Sequence, residues 1–297
     1  MKTLFPGYYP YTNEQVKSFI EESTVVFGAS VLLDLYRISN WPVFLNLVKT
    51  KIDQNCLWLP YDTAWLYHNR MPEVIDEQIE SVRTALKYLN LFKEAIESPF
   101  GHPFIGKDLM TRFGSFINDA SKALDDDRSY LVKNLKTSEL KAGIEKLFHG
   151  KIGQAYPEAQ LIQLYDESKK KYDNQMAPCL TLSSSPNVRI KSNRYVIWKQ
   201  MQKQSKDTKK PILLVLNRIT PNWFFIYNED VVYPRQELIN EFNSSTEQNI
   251  HIITAYNLVD YLTKDDRTPE QEALLKQLHN KPTLGNTQKI TNTVNSI

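Results

Sequence analysis

Thr24-Val25-Val26-Phe27-Gly28-Ala29-Ser30-Val31-Leu32-Leu33-Asp34-Leu35-Tyr36-Arg37 is the stretch that decides the fold. Its first four residues form an apolar run without helical spacing, the pattern of a short strand buried on both faces. Gly28 supplies turn chemistry, and residues 31–37 follow at once with good helix formers. A helix over about 41–52 then leads into Cys56-Leu57-Trp58-Leu59-Pro60, read as a second buried strand. The connection is long enough for a parallel crossover, so the unit is β-α-β. Upstream, Thr12-Asn13-Glu14-Gln15 marks a helix start, with Val16, Phe19 and Ile20 on one face.

Beyond residue 70 the periodicity changes. Val74, Ile75, Ile79, Val82, Leu86 and Leu89 recur at three- and four-residue steps, as in an amphipathic helix. Further helices are expected around 109–124, 130–148 and 157–172, with no strand among them. Sheet grammar resumes with a helix over 195–204 and the strand Pro211-Ile212-Leu213-Leu214-Val215-Leu216. A helix over 234–242, the strand Ile250-His251-Ile252-Ile253-Thr254, and helices over 256–262 and 269–279 complete the series. Strands alternating with helices define an α/β class: a mostly parallel central sheet with helices on both faces and a large helical insertion. The expected organisation is one α/β domain over residues 1–265, interrupted by the insertion at about 71–180. A C-terminal helix and a polar tail fill residues 266–297.

Thirty-six Lys and Arg against 34 Asp and Glu give a net charge of +2, so affinity for nucleic acid requires a local patch. Two cysteines, Cys56 and Cys179, without a CxxC partner supply neither a disulfide framework nor a zinc site. No run approaches the roughly 20 apolar residues of a membrane span. The opening MKTLFPGYYPYTNEQ has no signal-peptide character, which points to the cytoplasm. Zinc-protease, dinucleotide, P-loop and hydrolase-elbow motifs are all absent from the sequence.

Several short motifs nevertheless occur in a telling order. They are Phe27 to Arg37, Leu57-Trp58-Leu59-Pro60, Tyr67-His68-Asn69-Arg70, His102-Pro103-Phe104-Ile105, Ile197-Trp198-Lys199-Gln200, and Pro234 to Phe242. Together with Phe5-Pro6-Gly7-Tyr8-Tyr9, this series resembles the bacterial PIN-like domain family, a branch of the metal-dependent ribonucleases. The resemblance covers nearly the whole chain. It implies an α/β sheet whose strand ends carry several carboxylates, holding Mg or Mn ions that activate a water for phosphodiester hydrolysis. It also makes a role in bacterial stress response or phage defence an expectation.

The departures fall on that chemistry. The family's Asp after the first strand is Gly28 here, the Glu before Tyr67 is Leu66, and an Asp before the Ile197 helix is Arg194. The acidic pair after the 213–216 strand is Asn217 and Arg218. The resemblance therefore implies a pseudo-nuclease with no cofactor. Asp34 and Asp62 remain as residual metal ligands, with Asp173 a further candidate. Asp34 reads more readily as a buried partner of Arg37 or Arg70, and Asp62 as a helix N-cap. Arg37, Asn69 and Arg70 are other residues of the family motif.

Two arginines replacing acids would turn a cation site into an anion site, since guanidinium pairs phosphate without a metal. Arg194 and Arg218, with Arg189 and Lys199 from a basic stretch, are therefore the expected nucleic-acid contacts. The bland reading of that stretch is a solvated helix face. Tyr8-Tyr9-Tyr11 and Trp223-Phe224-Phe225 are candidates for base stacking or a partner surface, with core packing the default for the second group. The leading expectation is a catalytically silent protein that binds RNA, DNA or a protein partner, the last through the helical insertion. The alternatives are an active Mg/Mn-dependent ribonuclease with displaced ligands, or a regulatory subunit that does not touch nucleic acid.

Overall fold

The polypeptide alternates helix and strand as its periodicity dictates. A computed structural model describes residues 1, 8, 13–97, 106–134, 138–181, 183–227 and 230–279. It divides into two compact units: residues 1–67 with 144–297, and residues 68–143. Helix α1 (Asn13–Glu22) precedes strand β1 (Thr24–Phe27), followed by α2 (Ala29–Asp34), a short 3-10 turn (Leu35–Arg37) and α3 (Trp41–Lys51). Then come α4 (Tyr61–Glu97), α5 (Lys107–Asn134), α6 (Glu139–Leu147), α7 (Glu158–Asp173) and α8 (Val188–Thr208). Strands β2 (Ile212–Leu216), β3 (Phe224–Tyr227) and β4 (Asp230–Pro234) follow. The order ends with α9 (Gln236–Thr246), β5 (Ile250–Thr254), α10 (Ala255–Thr263) and α11 (Pro269–Leu278).

In the first unit, β1, β2 and β5 form a parallel sheet in the order β1-β2-β5. Val26 pairs with Leu214 and Leu214 with Ile252, so the three share one face. That face buries an apolar cluster in which Trp198 packs 5.3 Å from Phe242 and 5.9 Å from Trp223 between ring centroids. The side chains one register step away point to the other face. There Phe27 packs edge-on to Phe44 and Phe148. Helices cover both faces because neither carries an alternating polar row: β1 and β2 are buried at every position.

Two expectations need correction. Cys56-Leu57-Trp58-Leu59 is not a continuous strand. Leu57 bridges Val25 in parallel, whereas Leu59 bridges Ile152, so the chain passes from one partner to another. Gly153 permits the crossing, since a Cβ there would lie 2.6 Å from the Trp58 indole. The first long helix begins at Tyr61 and runs through Pro72 for 37 residues. Within the stretch expected as the helical insertion, α7 packs against α8 and Leu164 joins the cluster around Trp198. The 266–297 segment places α11 against α3 and α10 in the first unit, while residues 280–297 lie outside the described residues.

The second unit comprises most of α4, α5 and the start of α6. Phe92 meets Phe113 edge-on at 5.2 Å, which pairs the end of α4 with the beginning of α5. Ile75, Ile79 and Ile117 are its buried anchors. No helix among the described residues is long and apolar enough to cross a membrane.

One buried group sets a pH dependence. His251, on β5 against Phe19, is pushed by burial from 6.5 down to about 4. The imidazole stays neutral in the fold, while the unfolded chain takes up a proton below about 6.5. Stability should therefore fall by roughly 2–3 kcal/mol as pH drops from about 6.5 to 4, then flatten for this group. Urea midpoints against pH for the wild type and His251→Leu should diverge across that window. Parallel curves would remove His251 as the cause.

Candidate functional site at the strand ends

The carboxyl ends of β1 and β2 bring together Gly28, Ser30, Asp34, Asn217 and Arg218. Gly28 closes β1 by donating its N–H to the Val215 carbonyl at 2.8 Å, and its own carbonyl accepts from Val31 N at 3.0 Å. A Cβ at Gly28 would stand 2.7 Å from Leu216 Cδ2. The space where a side chain would leave this position is therefore occupied by leucine, and an aspartate here requires Leu216 to move.

Asp34 ends α2 and is buried. Its Oδ1 accepts from Arg37 Nη1 at 2.6 Å and, more weakly, from Arg218 Nη2 at 3.4 Å. Its Oδ2 accepts from Asn217 Nδ2 at 2.7 Å. Asn217 is held in turn by its backbone N–H, which donates to Ser30 Oγ at 3.4 Å. Both carboxylate oxygens are thus engaged, by two guanidinium groups and one amide. A divalent ion demands several anionic oxygens at about 2.0–2.6 Å, free of competing donors. This donor set, one carboxylate saturated by cations and an amide, is a poor cage. Among the described residues, no three His, Cys, Asp or Glu side chains gather closely enough to hold a metal.

A second node joins α4 to α8. The Asp62 side chain is 1% exposed, and its Oδ1 accepts from Arg189 Nε at 3.1 Å and Nη2 at 2.9 Å. Its Oδ2 accepts from Gln200 Nε2 at 3.1 Å, while Gln200 Oε1 receives the Asp62 N–H. Asn193 donates to the Asp62 carbonyl at 3.1 Å. The Arg189 guanidinium lies over Trp65, 4.0 Å from its centroid. Asp62 therefore does not cap α4; its carboxylate anchors the first turn of α4 to α8. Leu66, one turn on, is half-buried.

The remaining candidates separate. Arg194 donates to the Thr181 carbonyl at 2.5 Å, and burial lowers its pKa. Arg218 reaches Asp34 instead, so the two arginines have different partners. Lys199 lies 5.3 Å from the Tyr195 ring centroid. Arg218, with a side chain 54% exposed, presents more surface than Arg189 at 24%. Arg70 pairs with Glu73 at 2.6 Å in the second unit, which also holds Asn69, so Asp34 takes Arg37 of its two expected partners. Asp173 is exposed at the end of α7. His102, Pro103, Phe104 and Ile105 lie outside the described residues, as do Tyr9 and Tyr11.

A third node, absent from the expectations, surrounds Glu241 on α9. Burial works to raise its pKa, but hydrogen bonds from Lys171 at 2.6 Å and Trp198 Nε1 at 2.8 Å outweigh that and hold it below the usual range.

These features define an α/β protein of nuclease-like build, with polar groups at the carboxyl ends of parallel strands and a guanidinium pair on the buried Asp34 carboxylate. The model of the PIN-like domain family matches residues 24–238, and the chain belongs to that family. No curated protein and no solved structure gives a match.

Proposed function

We propose that this chain is a PIN-like protein that binds nucleic acid without hydrolysing it and works without a metal cofactor. The observation that carries this reading is the saturation of Asp34 by Arg37, Arg218 and Asn217. Metal-assisted hydrolysis needs an ion that lowers the pKa of an attacking water and neutralises the phosphate. Here the positive charge comes from side chains, and guanidinium can pair a phosphate but cannot generate hydroxide. Arg218 would make the leading phosphate contact, being more than half exposed at the end of β2. Arg189, Arg194 and Lys199 would contribute field rather than direct contacts, since each already leans on a neighbour.

The test is a cleavage assay on labelled single-stranded and hairpin RNA with manganese, beside a chelator control. The expected result is intact RNA under both conditions and a mobility shift that weakens with salt. Metal-dependent cleavage that is lost in Asp34→Ala would overturn the reading. Neither cleavage nor shift would also overturn it, and would transfer the role to a protein partner.

A further inference from the structure

The β3–β4 ribbon lies outside the parallel sheet and has two unlike faces. Phe224 is buried in the cluster around Trp198, and Ile226 packs against it. Phe225 and Tyr227 alternate with them and are 38% and 63% exposed. Phe225 sits directly across from Tyr233, their rings stacked at 5.3 Å and 10°. Tyr8, 59% exposed, stands 6.3 Å from Tyr233. Four aromatic rings thus share a region of solvent-facing surface that the core does not require.

The chain leading into this ribbon is rich in cations. From Arg189 to Tyr227 it carries nine Lys and Arg residues and a single acid, Asp207, which pairs with Lys203, while Asp230 on β4 stands opposite Tyr227. Arg218 lies on the segment leading into β3. Arg194 is tied to the ribbon's base, because Thr181, whose carbonyl it binds, also holds the Asn222 side chain at 2.6 Å. Exposed aromatic rings beside a cationic track are how single strands are held: bases stack on rings while phosphates meet the cations. A duplex, whose bases are already stacked, gains nothing from such a face. Tyr8, Tyr227 and Tyr233 also carry phenol hydroxyls, which can bond a ribose 2′-OH.

We propose that the outer face of β3–β4 is a stacking platform for single-stranded RNA, with Phe225 and Tyr227 as its base-binding rings. This rests on the nucleic-acid reading above and specifies its substrate. The test uses the full chain and a fluorescent oligouridine of about 12 nucleotides, with its abasic analogue, a matched duplex and oligothymidine beside it. The expected result is that Phe225→Leu and Tyr227→Leu each weaken oligouridine binding roughly tenfold, with melting and salt slope unchanged. The abasic strand and the duplex should bind as weakly as the double variant. Arg218→Ala, by contrast, should reduce the salt slope by about 0.7. Wild-type binding that both leucine variants retain would overturn the platform while leaving the nucleic-acid reading intact. Equal affinity for oligothymidine would overturn the choice of RNA. A wild-type protein that binds none of the probes would overturn both proposals.

Discussion

Asp62→Ala is expected to lower the unfolding free energy by about 3–5 kcal/mol, the usual cost of removing one partner from a buried charge pair. The carboxylate is almost wholly shielded and receives three side-chain hydrogen bonds, two from Arg189 and one from Gln200. Its loss leaves the Arg189 guanidinium without its anion and Gln200, 4% exposed, with an unmet N–H. Replacing both partners, as in Asp62→Ala with Arg189→Met, should recover part of the loss, because the stranded charge then disappears. Urea unfolding of the single and double variants measures this. A loss below about 1 kcal/mol for Asp62→Ala would show that the node contributes no more than a surface pair.

Asp34→Ala should have a smaller structural and a larger functional effect. We expect a loss of about 2 kcal/mol, at the low end for a buried partner because Arg218 is already more than half in water. The same change removes the acid that Arg37 and Arg218 share, which makes the strand ends more positive. On the binding reading, RNA affinity at low salt should rise several-fold and fall more steeply with added salt. A displaced-ligand ribonuclease would instead lose metal-dependent cleavage. The direction of the change in RNA binding thus separates the two mechanisms with one variant.

The two nodes were unequally visible beforehand. Arg189, Asn193 and Gln200 are spaced four and seven residues apart, which puts them on one face of a helix. A polar stripe on the face that α8 buries is therefore legible in the sequence, although the basic residues between mask it. Nothing local announces its partner, because Asp62 lies 127 residues before Arg189. The β3–β4 ribbon is hidden in the sequence for a different reason. Trp223-Phe224-Phe225-Ile226-Tyr227 is apolar or aromatic at every position, so the period of two that marks a half-exposed strand is hidden.

By itself the sequence determined the parallel α/β class, the strands β1, β2 and β5, and the helical character of the long middle segment. Each of these depends on residue identity or on periodicity within a short window. Only the tertiary structure decided that Asp34 is spent on Arg37, Asn217 and Arg218, that Arg194 and Arg218 have different partners, and that Phe225 faces water while Phe224 does not. The physical reason is range: hydrophobic periodicity is written along the chain, whereas the partner of a buried charge is selected in space, among groups that folding brings together from distant positions.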